Sequence, residues 1–351
     1  MEGKTFSNGD ITVRLGDALN FYKSWERPDL IMADGPYGIS SFPGDLVSHN
    51  GLAEWYKPHV EAWYKSAKAG TTLWFWNTEV GWASVHQVMI DAGWTYKGCN
   101  IWNKGLAHIA GNHNSKTASK FPVVTEICAQ YVKEPRFEQD DNMISAKQWL
   151  RSEWQRAGLA LNLSNAATGT KNAATRKYLT QCHLWYSPPG EMFQKLADFA
   201  NKNGRPEGRP YYSIDGKNVL TGDDWDEMKA IFNCPQSVTN VWDLPPLNGK
   251  ERIKDSSKAV HINQKPLKLM NMLISASSKE KDVVWEPFGG LFSALVSATK
   301  LNRKGFGAEV NSHFFDQAVK RLDLLQVQQP LNLESSPEPV PYQPLSVSTI
   351  L

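Results

Sequence analysis

Short apolar runs alternate with amphipathic stretches over the first 135 residues. Residues 11–15, 29–33, 70–77, 96–102 and 123–132 read as strands, and residues 55–67 and 80–92 as helices. Strands separated by helices predict a largely parallel sheet covered on both faces. From about residue 135 to 258 the texture becomes polar, with clusters such as Asn201-Lys202-Asn203-Gly204-Arg205-Pro206. Helical periodicity persists there at 145–156 and 191–201, but no buried strand is expected. The alternation returns from 264 to 325, with helices at 267–276, 292–301 and 313–325 and strands at 282–285 and 306–310. Beyond Gln328, five prolines and little periodicity predict a flexible tail. The expected division is 1–135 and 259–327 as two halves of one α/β domain, 136–258 as an insertion, and 328–351 as the tail.

Composition narrows the function classes. The 351 residues are 41% hydrophobic and carry a net charge of only +2, so a basic face would have to be local. Four dispersed cysteines form no C-x-x-C pair, which fits a reducing, cytoplasmic setting and neither a zinc site nor a disulfide framework. No apolar run is long enough for a membrane span, and the first residues, MEGKTFSNGD, do not resemble a signal peptide.

Chemistry concentrates in a few strand-to-turn junctions. Asp34-Gly35-Pro36-Tyr37 follows an apolar strand, at the carboxyl edge where α/β sheets bind ligands. It offers a carboxylate, a backbone carbonyl, a fixed proline and a flat ring. Glu286-Pro287-Phe288-Gly289-Gly290 runs from a strand into a glycine pair and then a helix, which lets backbone approach a ligand. The full G-x-G-x-x-G fingerprint is absent, which argues against a nicotinamide enzyme. Glu309 ends the next strand, where a carboxylate can accept from ribose hydroxyls. Gln264-Lys265-Pro266-Leu267 reads by itself as a helix start. Leu291 and Phe292 are too bulky for a glycine turn, so the loop is expected to turn at Gly289-Gly290 and to pack Phe292 inward.

Together, in this order, these segments resemble amino-directed DNA methyltransferases (adenine N6 or cytosine N4). Asp34 to Tyr37 is similar to their D-P-P-Y motif, Glu286 to Gly290 to their D-P-F-x-G-x-G motif, and Gln264-Lys265-Pro266 to the Q-K-P segment before it. The lead-in from Asn240 to Pro246 (NVWDLPP) is similar too. The catalytic motif comes first and the cofactor motif last, as in the permuted β group. The departures are Gly35 for the first proline, Glu286 for aspartate, and Leu291-Phe292 for the last glycine turn.

The resemblance implies an α/β, Rossmann-like methyltransferase fold with a mostly parallel, seven-stranded, circularly permuted sheet. It also implies an inserted, mainly helical DNA-recognition domain, and S-adenosylmethionine as cofactor. Asp34, Gly35, Pro36 and Tyr37 would be catalytic, with Tyr37 stacking on a flipped base. Phe288 would pack beside adenine and Glu309 would hold the ribose. Glu286, Gly289 and Gly290 would shape the cofactor loop, and Gln264 and Lys265 would border the methionine end. Asp17 matches the acidic residue at the adenine amino group, but reads equally well as a helix N-cap. Trp74, Trp76 and Trp102 are either further walls for the base or core aromatics. No metal is implied.

The implied partner is double-stranded DNA, with a cognate restriction endonuclease and a monomeric or dimeric state left open. Between Lys104 and Lys177 eleven Lys/Arg stand against six Asp/Glu. Residues 160–167 and 171–179 flank Thr168-Gly169-Thr170 and resemble a helix-turn-helix, which would present Lys171, Asn172, Thr175, Arg176 and Lys177 to DNA. The alternative is a helical support with a solvated basic face. Asp34 favours adenine N6 over cytosine N4, whose enzymes resemble S-P-P-Y. A DNA-binding regulator on an inactive scaffold is the reading from another class.

Overall fold

The computed structural model describes residues 3–40, 45–109, 116–206, 208–247 and 249–326; the expected tail lies outside them. The N-terminal part carries strands β1 (Thr5–Ser7), β2 (Ile11–Leu15), β3 (Leu30–Ala33), β4 (Thr72–Asn77), β5 (Thr95–Asn103) and β6 (Thr125–Val132), with helices α1 (Leu52–Ser66) and α2 (Glu79–Asp91). The middle holds a hairpin, β7 (Arg136–Gln139) and β8 (Asn142–Ser145), then α3 (Ala146–Arg156), α4 (Leu163–Thr168), α5 (Gly190–Asn203) and α6 (Gly222–Glu227). A short strand β9 (Val241–Asp243) and a small hairpin, β10 (Lys254–Asp255) with β11 (Lys258–Ala259), follow. The chain closes with α7 (Leu267–Ser277), β12 (Val283–Glu286), α8 (Ser293–Lys300), β13 (Lys304–Glu309) and α9 (Ser312–Gln326).

The main sheet runs β1-β2-β13-β12-β3-β4-β6-β5-β9. Pairing is parallel from β2 to β4, while β6 is antiparallel to both of its neighbours. The seven central strands are those expected; β1 and β9 add two short edges. The last two sheet strands of the chain thus lie between its second and third, which joins the terminal segments in one sheet.

Alternation along each strand sorts side chains onto two cores. Leu30, Met32, Trp74, Trp76 and Val284 pack with α7, α8 and α9, while Ile31, Ala33, Leu73, Phe75 and Trp285 pack with α1 and α2. Every residue of β3, β4 and β12 is buried, as expected of strands covered on both faces.

A third core draws only on residues 137–228. Phe137 stacks on Trp149 at 4.1 Å and Phe193 on Trp225 at 4.6 Å. Inside it, the Glu153 carboxylate accepts from Arg156, Arg209 and the Tyr212 N–H, so the buried charge is fully paired. Two features depart from the sequence reading. The β7–β8 hairpin turns at Asp140 and Asp141, both at positive φ, a turn that the charged residues concealed. And β9 lies within the stretch expected to hold no buried strand: it pairs with β5 and buries Trp242 against the main sheet.

Candidate active site

The carboxyl ends of β3, β12 and β13, with the turn after β2, open into one cleft enclosing about 980 Å³ of non-atom space including its mouth. Its lining brings together Asp17, Asp34, Gly35, Pro36, Tyr37, Glu286, Phe288 and Glu309, residues nearly 300 positions apart in the chain. The parallel pairing of β13 with β2 and of β12 with β3 places these strand ends side by side.

Asp34 leaves the end of β3 with a quarter of its side chain exposed. Its carboxylate accepts from Lys265 Nζ at 2.8 Å on each oxygen, and from the Tyr37 hydroxyl at 2.8 Å. The Tyr37 hydroxyl also approaches Glu126 Oε2 at 3.3 Å, and Lys265 reaches the same oxygen at 3.3 Å. Lys104 pairs with the other Glu126 oxygen. Lys265 is buried; the Asp34 and Glu126 carboxylates overcome desolvation and hold its pKa above the usual lysine value. Burial drives the Tyr37 hydroxyl well above its ordinary pKa, reinforced by the Asp34 and Glu126 charges, so it stays a neutral donor.

The turn itself is fixed from behind. The Pro36 carbonyl accepts from the Tyr56 hydroxyl at 3.0 Å and from Asn77 Nδ2 at 3.1 Å. The Asp45 carboxylate gathers the N–H groups of Tyr37, Gly38, Ile39 and Leu46. The departure at Gly35 has a steric cause: a Cβ there would stand 2.5 Å from the Tyr56 oxygen and 2.6 Å from the Phe288 ring.

Phe288 belongs to an aromatic wall with Trp55, at 5.5 Å, and His59, at 5.0 Å. Burial lowers the pKa of His59 and of His261 to about 4, so these two histidines are uncharged at neutral pH. Gly289 donates to the Ala308 carbonyl, and Gly290, at φ +51°, donates to Glu309 Oε2 at 2.6 Å. Glu309 also accepts from Asn311 N–H, and burial raises its pKa. Phe292 is fully buried and its ring fills the space beside Gly289, where a Cβ would lie 2.1 Å away. The loop therefore turns at the glycine pair with Phe292 inward.

Several expected roles change on this geometry. Glu286 caps α8, accepting from the Ala294 and Leu295 N–H groups, with its pKa raised to about 8 by burial. Gln264 spends both amide groups on the backbone of Glu251 and Ile253 and Lys265 pairs with Asp34, while both residues line the cleft. Tyr37 lines the cleft but is only 5% exposed, and its hydroxyl is engaged by Asp34, Glu126 and Lys265. Trp74, Trp76 and Trp102 are all buried core aromatics. Asp17 caps a 3-10 turn through Leu19 N–H and also lines the cleft.

In the stretch between β8 and α5, α4 ends at Gly169 in the left-handed region, and Ala174–Tyr178 forms a π-helical turn in place of the expected α-helix. Lys171, Asn172, Arg176 and Lys177 are exposed. Thr175 is instead turned inward, exchanging hydrogen bonds with Asn165 across the junction.

Sequence reasoning missed Glu126, Lys104, Asp45, Tyr56 and Asn77. Glu126 had a signal, a carboxylate at the mouth of an otherwise apolar strand; Asp45 sits in a loop with none. No helix among the described residues is long and apolar enough to cross a membrane.

The profile of the DNA methylase family of N6 and N4 enzymes matches residues 28–320. The type II methyltransferase M.HindIII of Haemophilus influenzae is 24% identical over 274 residues, covering 77% of this chain and 69% of that one. The DNA adenine methyltransferase YhdJ of Escherichia coli is 36% identical over 123 residues, which is 32% of this chain and 40% of that one. Among solved structures, the M1.HpyAVI–SAM complex superposes with a TM-score of 0.50 at 15% identity, over 89% of this chain and 99% of that one, and so shares the fold. With that match over most of its length, the chain belongs to the DNA methylase family whose members act at adenine N6 or cytosine N4.

Proposed function

We propose that the chain transfers a methyl group from S-adenosylmethionine to the N6 amino group of adenine in double-stranded DNA. The observation that carries this reading is the placement of the Asp34 carboxylate in the same cleft as Phe288 and Glu309. The cleft suits the cofactor: an aromatic wall for a purine, buried and neutral in its histidines, beside carboxylates that can accept from hydroxyl and amino groups. Phe288 and Trp55 would flank the base, Asp17 and Glu309 would accept from the nucleoside, and Gly289-Gly290 would let the backbone approach. Bound there, S-adenosylmethionine would supply an electrophilic sulfonium methyl group.

An exocyclic amino nitrogen is a poor nucleophile because its lone pair is delocalised into the ring. Asp34 and the Gly35 carbonyl, aimed at its N–H groups, favour a tetrahedral nitrogen with the lone pair localised towards the methyl carbon. With the cofactor bound, the amino nitrogen would take the methyl group as the sulfonium leaves as a neutral thioether, and the proton released from nitrogen would pass to solvent. Preorganised acceptors stabilise the positive charge that develops. Asp34 at the head of the motif and the relative named as an adenine methyltransferase favour adenine over cytosine.

Calorimetry with S-adenosylmethionine checks the nucleoside end. Glu309→Ala should weaken binding by about 1.5–3 kcal/mol, the size of a charged hydrogen bond; unchanged affinity would remove Glu309 from the site. The base is decided by digesting methylated duplex DNA to nucleosides. N6-methyladenine is expected, and N4-methylcytosine would transfer the same site to the other acceptor.

Residues 136–258 are proposed as the DNA-recognition insertion between the two halves of the catalytic domain, 1–135 and 259–327. The exposed Lys171, Arg176 and Lys177 support phosphate contacts. A second basic stretch, from Lys104 to Thr125, contains no Asp or Glu and carries Phe121 almost fully exposed. Replacing Arg176 and Lys177 with Ala should weaken duplex binding and flatten its salt dependence, by about 0.9 in log–log slope for each phosphate that is no longer neutralised. An unchanged slope would return the segment to a solvated support. A cognate restriction endonuclease fits the same setting, in keeping with a relative named as a type II methyltransferase.

A further inference from the structure

We propose that Glu126 is a positioning residue for methyl transfer, acting through Lys265 on Asp34. The proposal rests on the methyltransferase reading and adds a residue outside the three motifs that led to it.

Glu126 enters from β6, and the segments that meet around it come from three other places in the chain. Lys265 stands before α7, Asp34 and Tyr37 after β3, and Lys104 just past β5. Lys265 and Glu126 are 4% and 8% exposed, and the Trp76 ring lies 5.1 Å from the ammonium. A buried ammonium needs counter-charge and hydrogen-bond acceptors on every side. Asp34 supplies two acceptor oxygens at 2.8 Å and Glu126 a third at 3.3 Å.

The division of labour follows from what Asp34 has to do. Its carboxylate must accept from the substrate amino group while Lys265 stays in place. Without Glu126, Asp34 would be the one carboxylate facing both Lys265 and Lys104, and the cluster would carry a net positive charge beside a nitrogen that becomes positive in the reaction. With Glu126 present, two carboxylates balance Lys265 and Lys104, and the cluster is neutral before the substrate arrives. Glu126 also accepts from the Tyr37 hydroxyl, which keeps that donor between the two carboxylates. The titratable groups facing Lys265 are Asp34 and Tyr37 from the turn, Glu126 and Cys128 from β6, Lys104 beyond β5, and His261 before α7. Glu126→Gln removes one of the two carboxylates that keep Lys265 protonated in a dry site. The pKa of Lys265 should then fall, and with it the pH above which Asp34 loses its charged partner.

The test compares wild type with Glu126→Gln, Glu126→Asp and Lys104→Gln on duplex DNA from pH 6 to about 11, a range that reaches past the ordinary lysine value of about 10.4 above which Lys265 is held. For Glu126→Gln, kcat should fall about tenfold or more at neutral pH, and the alkaline limb of kcat should move to lower pH. The KM for S-adenosylmethionine should stay within about twofold, since no cofactor contact is removed. Glu126→Asp should keep the wild-type alkaline limb because the charge remains. Lys104→Gln leaves Glu126 wholly to Lys265, and its limb should lie at or above that of wild type. These last two variants decide the matter if Glu126→Gln does not fold. An unmoved alkaline limb in Glu126→Gln, or a limb lowered in both Glu126→Asp and Lys104→Gln, overturns the proposal. Wild type that transfers no methyl group to any DNA overturns the functional reading beneath it instead.

Discussion

Asp34→Asn should abolish measurable methyl transfer, lowering kcat by at least about a hundredfold, the scale on which removal of one preorganised electrostatic partner is felt. The asparagine keeps the shape of the turn but replaces one acceptor oxygen with an N–H donor pointed at Lys265 or at the substrate. Cofactor binding should persist, because Phe288, Trp55 and Glu309 stand on other elements. Asp34→Ala should lose activity as completely but at a greater cost in stability. It strips Lys265 of two short hydrogen bonds and leaves Glu126, at 3.3 Å, as its remaining carboxylate. Single-turnover rates with bound cofactor check this, alongside calorimetry. A variant turning over within tenfold of wild type would remove Asp34 from the chemistry.

The second large effect concerns the sheet. Neither residues 1–135 nor residues 260–351 should fold alone. In the order β2-β13-β12-β3, the two C-terminal strands are the inner pair and the two N-terminal strands flank them. The N-terminal fragment would leave facing edges of β2 and β3 without partners, and the C-terminal fragment would expose both edges of a two-stranded ribbon. Each would also lose half of both cores, since Trp285 packs with Tyr22 and Trp25, and Val284 with Leu30 and Trp74. Each fragment should be insoluble or molten and should not bind S-adenosylmethionine. A soluble C-terminal fragment that binds the cofactor at full strength would contradict the shared site.

What the sequence made legible follows from where the signal lies. Strands such as β4, apolar on both faces, announce themselves because a covered sheet admits nothing else. The three motifs are contiguous, so their chemistry shows in a linear reading. Lys265 was found as part of a motif, but its pairing with Asp34 and Glu126 was not, because these partners are joined to it only by the fold. The same holds for Tyr37: a ring after a proline suggests a stacking platform, and its hydrogen bonds to Asp34 and to Glu126 on β6, which make it a buried donor, arise only in the fold. The edge strand β9 escaped notice because three residues carry too little periodicity. The π-turn at Ala174–Tyr178 escaped because local propensity does not distinguish it from one turn of α-helix.

The central claim is that one site, assembled from both ends of the chain, methylates an amino nitrogen in DNA. Direct reading of modified bases in DNA from a host without its own adenine methylation, expressing either wild type or Asp34→Asn, tests it most directly. N6-methyladenine at a single recurring sequence with wild type, and its absence with Asp34→Asn, is the predicted result. Unmodified DNA from cells containing folded, cofactor-binding wild type, or modification that persists in Asp34→Asn, would contradict it.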